Sequence, residues 1–478
     1  MLTAEFRDKL VSGYVLHFHP EEPEAARTIQ AAWIEEAVRN HVKIDVRNAV
    51  IAGALSLKNV TFEEEVSLID CRFKEPADFS HATFEHSILL SGTTFEQGAA
   101  FQGVALHQDA VLDDVKFLGG KAIFIDMSAR GLFSAERISF GSGVKADFAR
   151  VCLQKSARFW GATFGGEVDF DHAHIFGSGD FRGAVFKKKV NFNPSKIDGG
   201  LFFRAMPERG LPPVTFEDEA DFGAVETAIT ADFNGAQFKN EHKPVSFNSA
   251  KIHGSAIFLD AAFAGKTNFG MVHINGDAFF HSASFASEVS FLEAHITGQA
   301  GFSGVVFQQK VSFNSAKISG FAYFRAEAGQ PAARFEGEVD FIAAQFGSDV
   351  DFDGVAFTSL DKPVSFERMR INGNAFFRSA SFAGNTLFLA VQINGQAGFS
   401  GVVFQQKVSF NSAKISGFAY FRAEAVQPAA RFEGEVDFIA AQFGSDVDFD
   451  GVAFTSRLLK NALEDKEFRF GKMISEHS

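Results

Sequence analysis

The chain has 478 residues, among them 61 Phe but only 3 Tyr and 2 Trp, and a formal net charge of −14. That acidity argues against simple nucleic-acid or anionic-membrane binding, which calls for a basic excess. With 43 Gly and only 11 Pro it is not a disordered Pro/Gly chain, and no run of about 18 apolar residues marks a membrane span. The Phe excess needs a repeated apolar slot that offers no partner for a hydroxyl, since a buried Tyr or Trp seeks a hydrogen bond. Cys71 and Cys152 sit at or near such slots and read as small core residues, not as a disulfide framework. The N-terminus lacks the basic and apolar regions of a signal peptide, so a cytoplasmic protein is the expectation.

Residues 1–48 carry no repeat. Glu21 to Asn40 predicts a helix, with Ala25, Ile29, Trp33 and Ala37 at four-residue spacing and acids crowding its N-terminal end. A solenoid leaves an open apolar end that a terminal cap usually covers. This helix is expected to be that cap, with Trp33 on the first coil; a partner-binding helix is the alternative.

From about residue 49 large apolar residues alternate at steps of 6 and 5, beginning Ile51, Leu57, Phe62, Leu68 and Phe73. A small or β-branched residue stands two places before most of them. Neither a helix face nor an ordinary strand repeats this way, so the pattern predicts a solenoid with a narrow core filled by side chains. Register blurs over residues 118–147 and is clean again from Phe148 to Phe203. Later irregularities keep phase. Insertions after Phe203, Phe324 and Phe421 fall at one corner of a four-step coil, and shorter ones after Phe238 and Phe357 at the adjacent corner. Proline and polar residues mark them as loops, and loops on one face are how solenoids usually build binding surfaces. Gly298–Ser359 recurs as Gly395–Ser456, displaced by 97 residues, with Gly329 against Val426 as the one difference. The array is expected to span 49–456. Residues 457–478 then leave the repeat; Leu458, Leu459, Ala462 and Leu463 suggest a short helical cap. The alternative there is a homodimer contact through Phe468, Phe470 and Met473.

Ala77-Asp78-Phe79, Ala146-Asp147-Phe148, Ala220-Asp221-Phe222 and Val168-Asp169-Phe170 resemble the A-(D/N)-L unit of the pentapeptide-repeat family. The resemblance implies an all-β solenoid, a right-handed quadrilateral β-helix with four short faces per coil. The departure is the 5/6 alternation with Phe for Leu, about 22 residues per coil in place of 20. Some members of the family resemble B-DNA in size and charge and bind type II topoisomerases such as DNA gyrase.

Counting four steps per coil from Phe148 places a polar residue ahead of the large one in a single column at every rung but one, Leu387. Asp147, Asp169, Asp221, Asp340 and Asp437, with neighbours Glu338 and Glu435, are the candidate protein-interaction residues. Side chains of this kind also bond nearby backbone at turns and stack as ladders, so the column has a purely structural reading as well. His172 and His174 lack a third ligand for a metal. No nucleophile, phosphate-loop or zinc motif is present, so no enzyme and no cofactor are expected. The function expected is a scaffold that binds a protein partner through its outer faces and corner loops. A DNA mimic acting on a topoisomerase and a purely structural rod are the alternatives.

Overall fold

The computed structural model describes residues 2–327, 329–424 and 426–455, with the backbone of Leu458–Leu459. Phe148 to Phe203 shows how the sequence becomes structure. Ala146–Asp147, Cys152–Leu153, Ala157–Arg158 and Thr163–Phe164 are four successive two-residue strands. The next coil repeats them at Val168–Asp169, His174–Ile175, Gly179–Asp180 and Val185–Phe186, each paired parallel and in register with its predecessor. The four sheets built in this way are numbered I to IV in that order. The chain divides into two compact units, Met1–Asn240 and Glu241–Ser478, and each carries all four sheets. The expected quadrilateral β-helix is therefore the fold.

The 5/6 rhythm arises from two kinds of corner. After sheets I and III the chain makes a tight turn closed by a backbone bond from the residue three past the large slot, as in Val151 N to Phe148 O (3.3 Å) and Ala162 N to Phe159 O (3.1 Å). The residue two past the slot is then left-handed: Arg150 at φ 56°, His172 at 53°, Gly161 at 63°. After sheets II and IV the corner is an open bend without that bond, and it takes one residue more. Its amides bond the neighbouring coil instead, as Gln154 N does to Ala129 O at 2.8 Å. Two corners of each kind give the longer coil.

The core explains the preference for Phe. Rings in one column stack nearly parallel: Phe148 on Phe170 at 4.8 Å and Phe170 on Phe192 at 4.7 Å. Those distances match the separation of adjacent strands, ~4.8 Å, so flat rings tile at the pitch of the backbone. Rings from different columns meet edge to face, as Phe148 and Phe159 do at 5.4 Å and 82°. Both geometries suit the aromatic quadrupole. Sheets I, III and IV supply these columns in this stretch. Sheet II supplies the smaller Leu153, Ile175 and Ile197, all buried.

Residues 118–147 form a full coil. Pairing places Phe133 in the small inward position of sheet III beside Ala110, so Ala135 takes the large one. Ala129 takes the large slot of sheet II. Extra residues at Leu118–Gly120 and Gly141–Val144 lengthen two bends. Gly120, at φ 68°, lies where a Cβ would meet the Gln97 carbonyl oxygen at 2.0 Å. The swap of large for small hid the register in the sequence.

The lead-in differs from expectation. Only Ala31–Arg39 of the expected Glu21–Asn40 helix is α-helical (α2), and a further helix, Leu2–Val11 (α1), precedes it. Thr28–Gln30 is a strand of sheet IV paired with Val50–Ala52, and Leu16–His17 is a strand of sheet III paired with Val46–Arg47. Ile29 thus fills a core slot and does not line a helix face. Helix α2 buries Ala31, Ile34 and Ala37, while Trp33 is only half-buried. It stands where sheet I would continue, and its Glu35 accepts the Ser56 N–H at 3.0 Å. An otherwise open strand edge is covered. The ion pair between Arg7 and Glu36 (2.9 Å) ties α1 to α2.

In Met1–Asn240 the loop after Phe203 leaves the III/IV corner and holds a turn of 3-10 helix at Pro207–Arg209. In Glu241–Ser478 the loops after Phe324 and Phe421 leave the III/IV corner, and the one after Phe357 leaves the IV/I corner. The stretch between Phe238 and Phe247 contains the division between the units. At the C-terminal end Leu458–Leu459 is a strand paired with Val436–Asp437, not the start of a helix. The proposed contact through Phe468, Phe470 and Met473 lies outside the described residues.

Candidate protein-interaction surface

The anticipated polar column lies on sheet I. Strand pairing brings Asp147 and Asp169 together, with Asn191 and then Asp221 in the following rungs. Asp340 stands between Ser312 and Ser365, and Asp437 beside Ser409. Each aspartate caps the tight turn that follows it. The backbone N–H two residues on donates to its Oδ1: Ala149 to Asp147 at 3.3 Å, Asp171 to Asp169 at 3.1 Å, Gly223 to Asp221 at 2.8 Å. Ile342 does so to Asp340 at 2.7 Å and Ile439 to Asp437 at 2.8 Å. These bonds hold the corner that the left-handed residue makes costly. Asp437 is only 8% exposed.

Glu338 and Glu435 lie one place before their strands, in a column where lysine and glutamate alternate. Lys310 meets Glu338 at 2.7 Å, Lys407 meets Glu435 at 3.5 Å, Lys266 meets Glu288 at 2.8 Å and Lys189 meets Glu219 at 2.6 Å. Lys145 reaches both Asp147 and Asp169. Exposed pairs like these contribute little stability, but they balance the charge of the face. Sheet I is a mixed ladder, not a bare acidic strip.

Sheet III carries more chemistry than the column count showed. In Glu241–Ser478 its outward positions hold Tyr323, Asp351, Phe376 and Tyr420, with Gly301 and Gly398 between aromatic rungs. Asp351 is 1% exposed; it accepts from Arg325 (3.1 Å) and from the Asp353 N–H (2.9 Å). Burial nevertheless pushes its carboxyl above the usual carboxylate range. Tyr323 Oη lies 3.3 Å from His281 Nε2, and burial drives the Tyr323 pKa up and the His281 pKa down. The hydroxyls of Ser303 and Ser400 are buried without a hydrogen-bond partner among the described residues.

The duplicated corner loops flank this face and are pinned to it. Glu327 and Gln330 form an antiparallel bridge, as do Glu424 and Gln427. Gln330 is hydrogen-bonded to Ser282 and Gln427 to Ser379. Beside the second loop is an open hollow of ≈360 Å³ lined by Phe418, Tyr420, Arg422, Glu424, Asp446 and Asp448. Phe418 is 48% exposed and Val426 92%.

In Met1–Asn240 the turn that follows the Ala157–Arg158 strand of this sheet holds Trp160 among arginines. The guanidinium carbons of Arg158, Arg182 and Arg209 lie 5.3, 5.2 and 4.5 Å from its ring centre, within cation–π range. Asp180 holds Arg182 through Nε at 2.8 Å. Leu211, from the corner loop, covers Gly161 and Gly183. The tyrosines and this tryptophan were visible as rare residues. The signal that would have placed them is the register of sheet III, which the counting of sheet I alone does not use.

Among the described residues no three His, Cys, Asp or Glu side chains are grouped to hold a metal ion. No described helix is long and apolar enough to cross a membrane. The family model for pentapeptide repeats, in nine copies, matches residues 47–89, in keeping with the resemblance read from the sequence. No curated protein and no solved structure matches the chain.

Proposed function

From a chain that carries pentapeptide repeats on a quadrilateral β-helix, we propose a non-catalytic scaffold that binds a protein partner through its outer faces and corner loops. The observation that carries this reading is the pair of pinned loops in Glu241–Ser478, together with the exposed Phe418 and the Tyr420–Arg422 hollow beside the second. A β-helix core gains nothing from an exposed Phe. Aromatic and arginine side chains next to a preordered loop are what protein interfaces use as anchors. The partner and the cytoplasmic setting are part of the proposal.

The loops can be removed cleanly. Deleting Glu327–Ala332 joins Ala326 to Ala333 and restores a five-residue step from Phe324 to Phe335. Deleting Glu424–Ala429 does the same in the second copy. The double deletion, with Phe418→Ser, is expected to keep its circular dichroism and to lose the proteins that cross-link to the intact chain in its host. Equal capture by the variant would remove the proposal.

The DNA-mimic alternative needs a continuous anionic face. The lysine–glutamate alternation on sheet I fits that poorly. A gyrase supercoiling assay separates the two: inhibition or protection at low concentration, abolished by changing the sheet I carboxylates, would favour the mimic.

A further inference from the structure

Sheet II of Glu241–Ser478 reverses the charge of the chain. Its outward column includes Lys251, His273, His295, Lys317, Arg370 and Lys414. The three remaining rungs are glutamines. No rung is acidic, although the whole chain bears −14. Lys251, Lys317, Arg370 and Lys414 are exposed, and so is Arg368 at the adjoining corner.

None of these five cations forms an ion pair among the described residues, whereas other cations of the same unit do. Lys266, Lys310, Lys407, Arg325, Arg378 and Arg422 each meet a carboxylate. The cause lies in the next column, one residue past the large slot. From His253 to Gly444 it offers only amides, hydroxyls, glycine and that one histidine, with no carboxylate. In sheet II of Met1–Asn240 the same position supplies Asp198, which pairs with Lys196 and His174. The nearest acids on the corner before the cationic column are Glu293 and Glu367. Glu293 lines, with His273, His295 and Lys317, an open hollow of ≈580 Å³.

We propose that this face is a docking surface for an extended acidic polypeptide segment of a partner protein. The proposal rests on the scaffold reading and names the chemistry of what a second face binds. Charge complementarity is the first argument: solvated cations without partners in a row attract and orient a polyanion. The second is the neutral row beside them. Asn275, Asn372 and Asn394, with Gln345 and Gln392, offer both donors and acceptors to peptide groups. The third is the lack of Phe, Tyr or Trp at outward positions of this sheet, whose only outward rings are the imidazoles of His273 and His295, which leaves nucleobases a poor stacking platform. Lys251 to Lys414 spans seven coils, about 34 Å at ~4.8 Å each, or roughly ten residues of extended chain. A short acidic segment confined to this face is shielded at physiological salt from most of the acidic surface elsewhere, since the screening length is only about 8 Å.

The test uses the full chain and a fluorescent peptide of alternating Glu and Ser, about twelve residues long, read by anisotropy. Two variants carry the same change in net charge. Lys317→Gln with Arg370→Gln alters sheet II, and Lys266→Gln with Lys310→Gln alters sheet I. The sheet II pair is expected to weaken binding about tenfold and the sheet I pair less than about twofold, with binding in both falling as salt rises. Equal losses, no saturable binding at low salt, or single-stranded or duplex DNA binding as tightly as the peptide would overturn the proposal. A host partner that still binds the sheet II variant at full strength would leave the scaffold reading standing and remove this one.

Discussion

A buried phenylalanine here does two jobs at once. It fills a slot, and it forms one leaf of a stack whose neighbours lie above, below and edge-on. Phe170 touches Phe148, Phe192, Phe159 and Phe181 and is fully buried. Phe170→Ala therefore leaves a hole that its neighbours, fixed by their own strands, cannot collapse into. The expected cost is about 3–5 kcal/mol, read as a lower urea midpoint by circular dichroism, while Phe170→Leu should cost much less. Cys71 gives a second residue-scale test. Its thiol is 1% exposed, and burial raises its pKa to about 12. The thiolate is the reactive form, so at pH 8 in the folded protein a thiol reagent should label Cys152, which is half-buried, and not Cys71. Label on Cys71 at the same rate would show that the first coils open readily.

The corner is the element on which sequence and structure parted most. Apolar slots were legible because they are periodic and chemically distinct; the register read from Phe148 to Phe203 is the register of the strands. The turn that makes a step five or six residues long is backbone geometry, and left-handed positions held by Arg150, His172 and Ala343 have no common side chain to betray them. The polar column was legible, and its contacts are those of turn caps. The cationic column of sheet II obeys the same period but was masked by the net acidity of the whole chain. In residues 118–147 the large and small slots exchange, so a rule based on size alone fails there. The N-terminal strand Thr28–Gln30 was absorbed into a helix because Ile29 fits both periods. The left-handed corners lead to a sharp expectation. Ala343, at φ 56°, bears a Cβ in a conformation that costs roughly 1–2 kcal/mol per non-glycine residue. Ala343→Gly should recover part of that, offset by the greater freedom of glycine in the unfolded chain, and raise the melting temperature slightly. Ala343→Val should lower it clearly. If both substitutions lower stability alike, the turn is not the strained element inferred here.

At the scale of the whole array, strands pair only with those of adjacent coils and a few side chains reach one coil further, as Gln330 does to Ser282, which makes the duplication in Glu241–Ser478 an experiment already half performed. The block Gly298–Ser359 rests on the coil ending at Thr297, and its copy Gly395–Ser456 rests on the coil ending at Asn394. The same sequence is thus already seated on two different coils. Excising Gly298–Asn394 would join Thr297 to Gly395 and seat the copy where the first block now stands. The seam is close to native: the residues that follow match those they replace up to Ser456, apart from Val426 in place of Gly329. Ser282, hydrogen-bonded to Gln330 in the intact chain, would meet Gln427. Tyr420 would meet His281 in place of Arg378, since the two occupy equivalent positions. In an array stabilised by nearest-neighbour interfaces, four coils can be lost without exposing a new apolar end. The excised protein is expected to stay folded, with β-type circular dichroism per residue unchanged. Its denaturant sensitivity should fall in proportion to the smaller area exposed on unfolding. Aggregation, or loss of β signal beyond the excised share, would mean that the coils depend on contacts farther away than the one or two coils on either side.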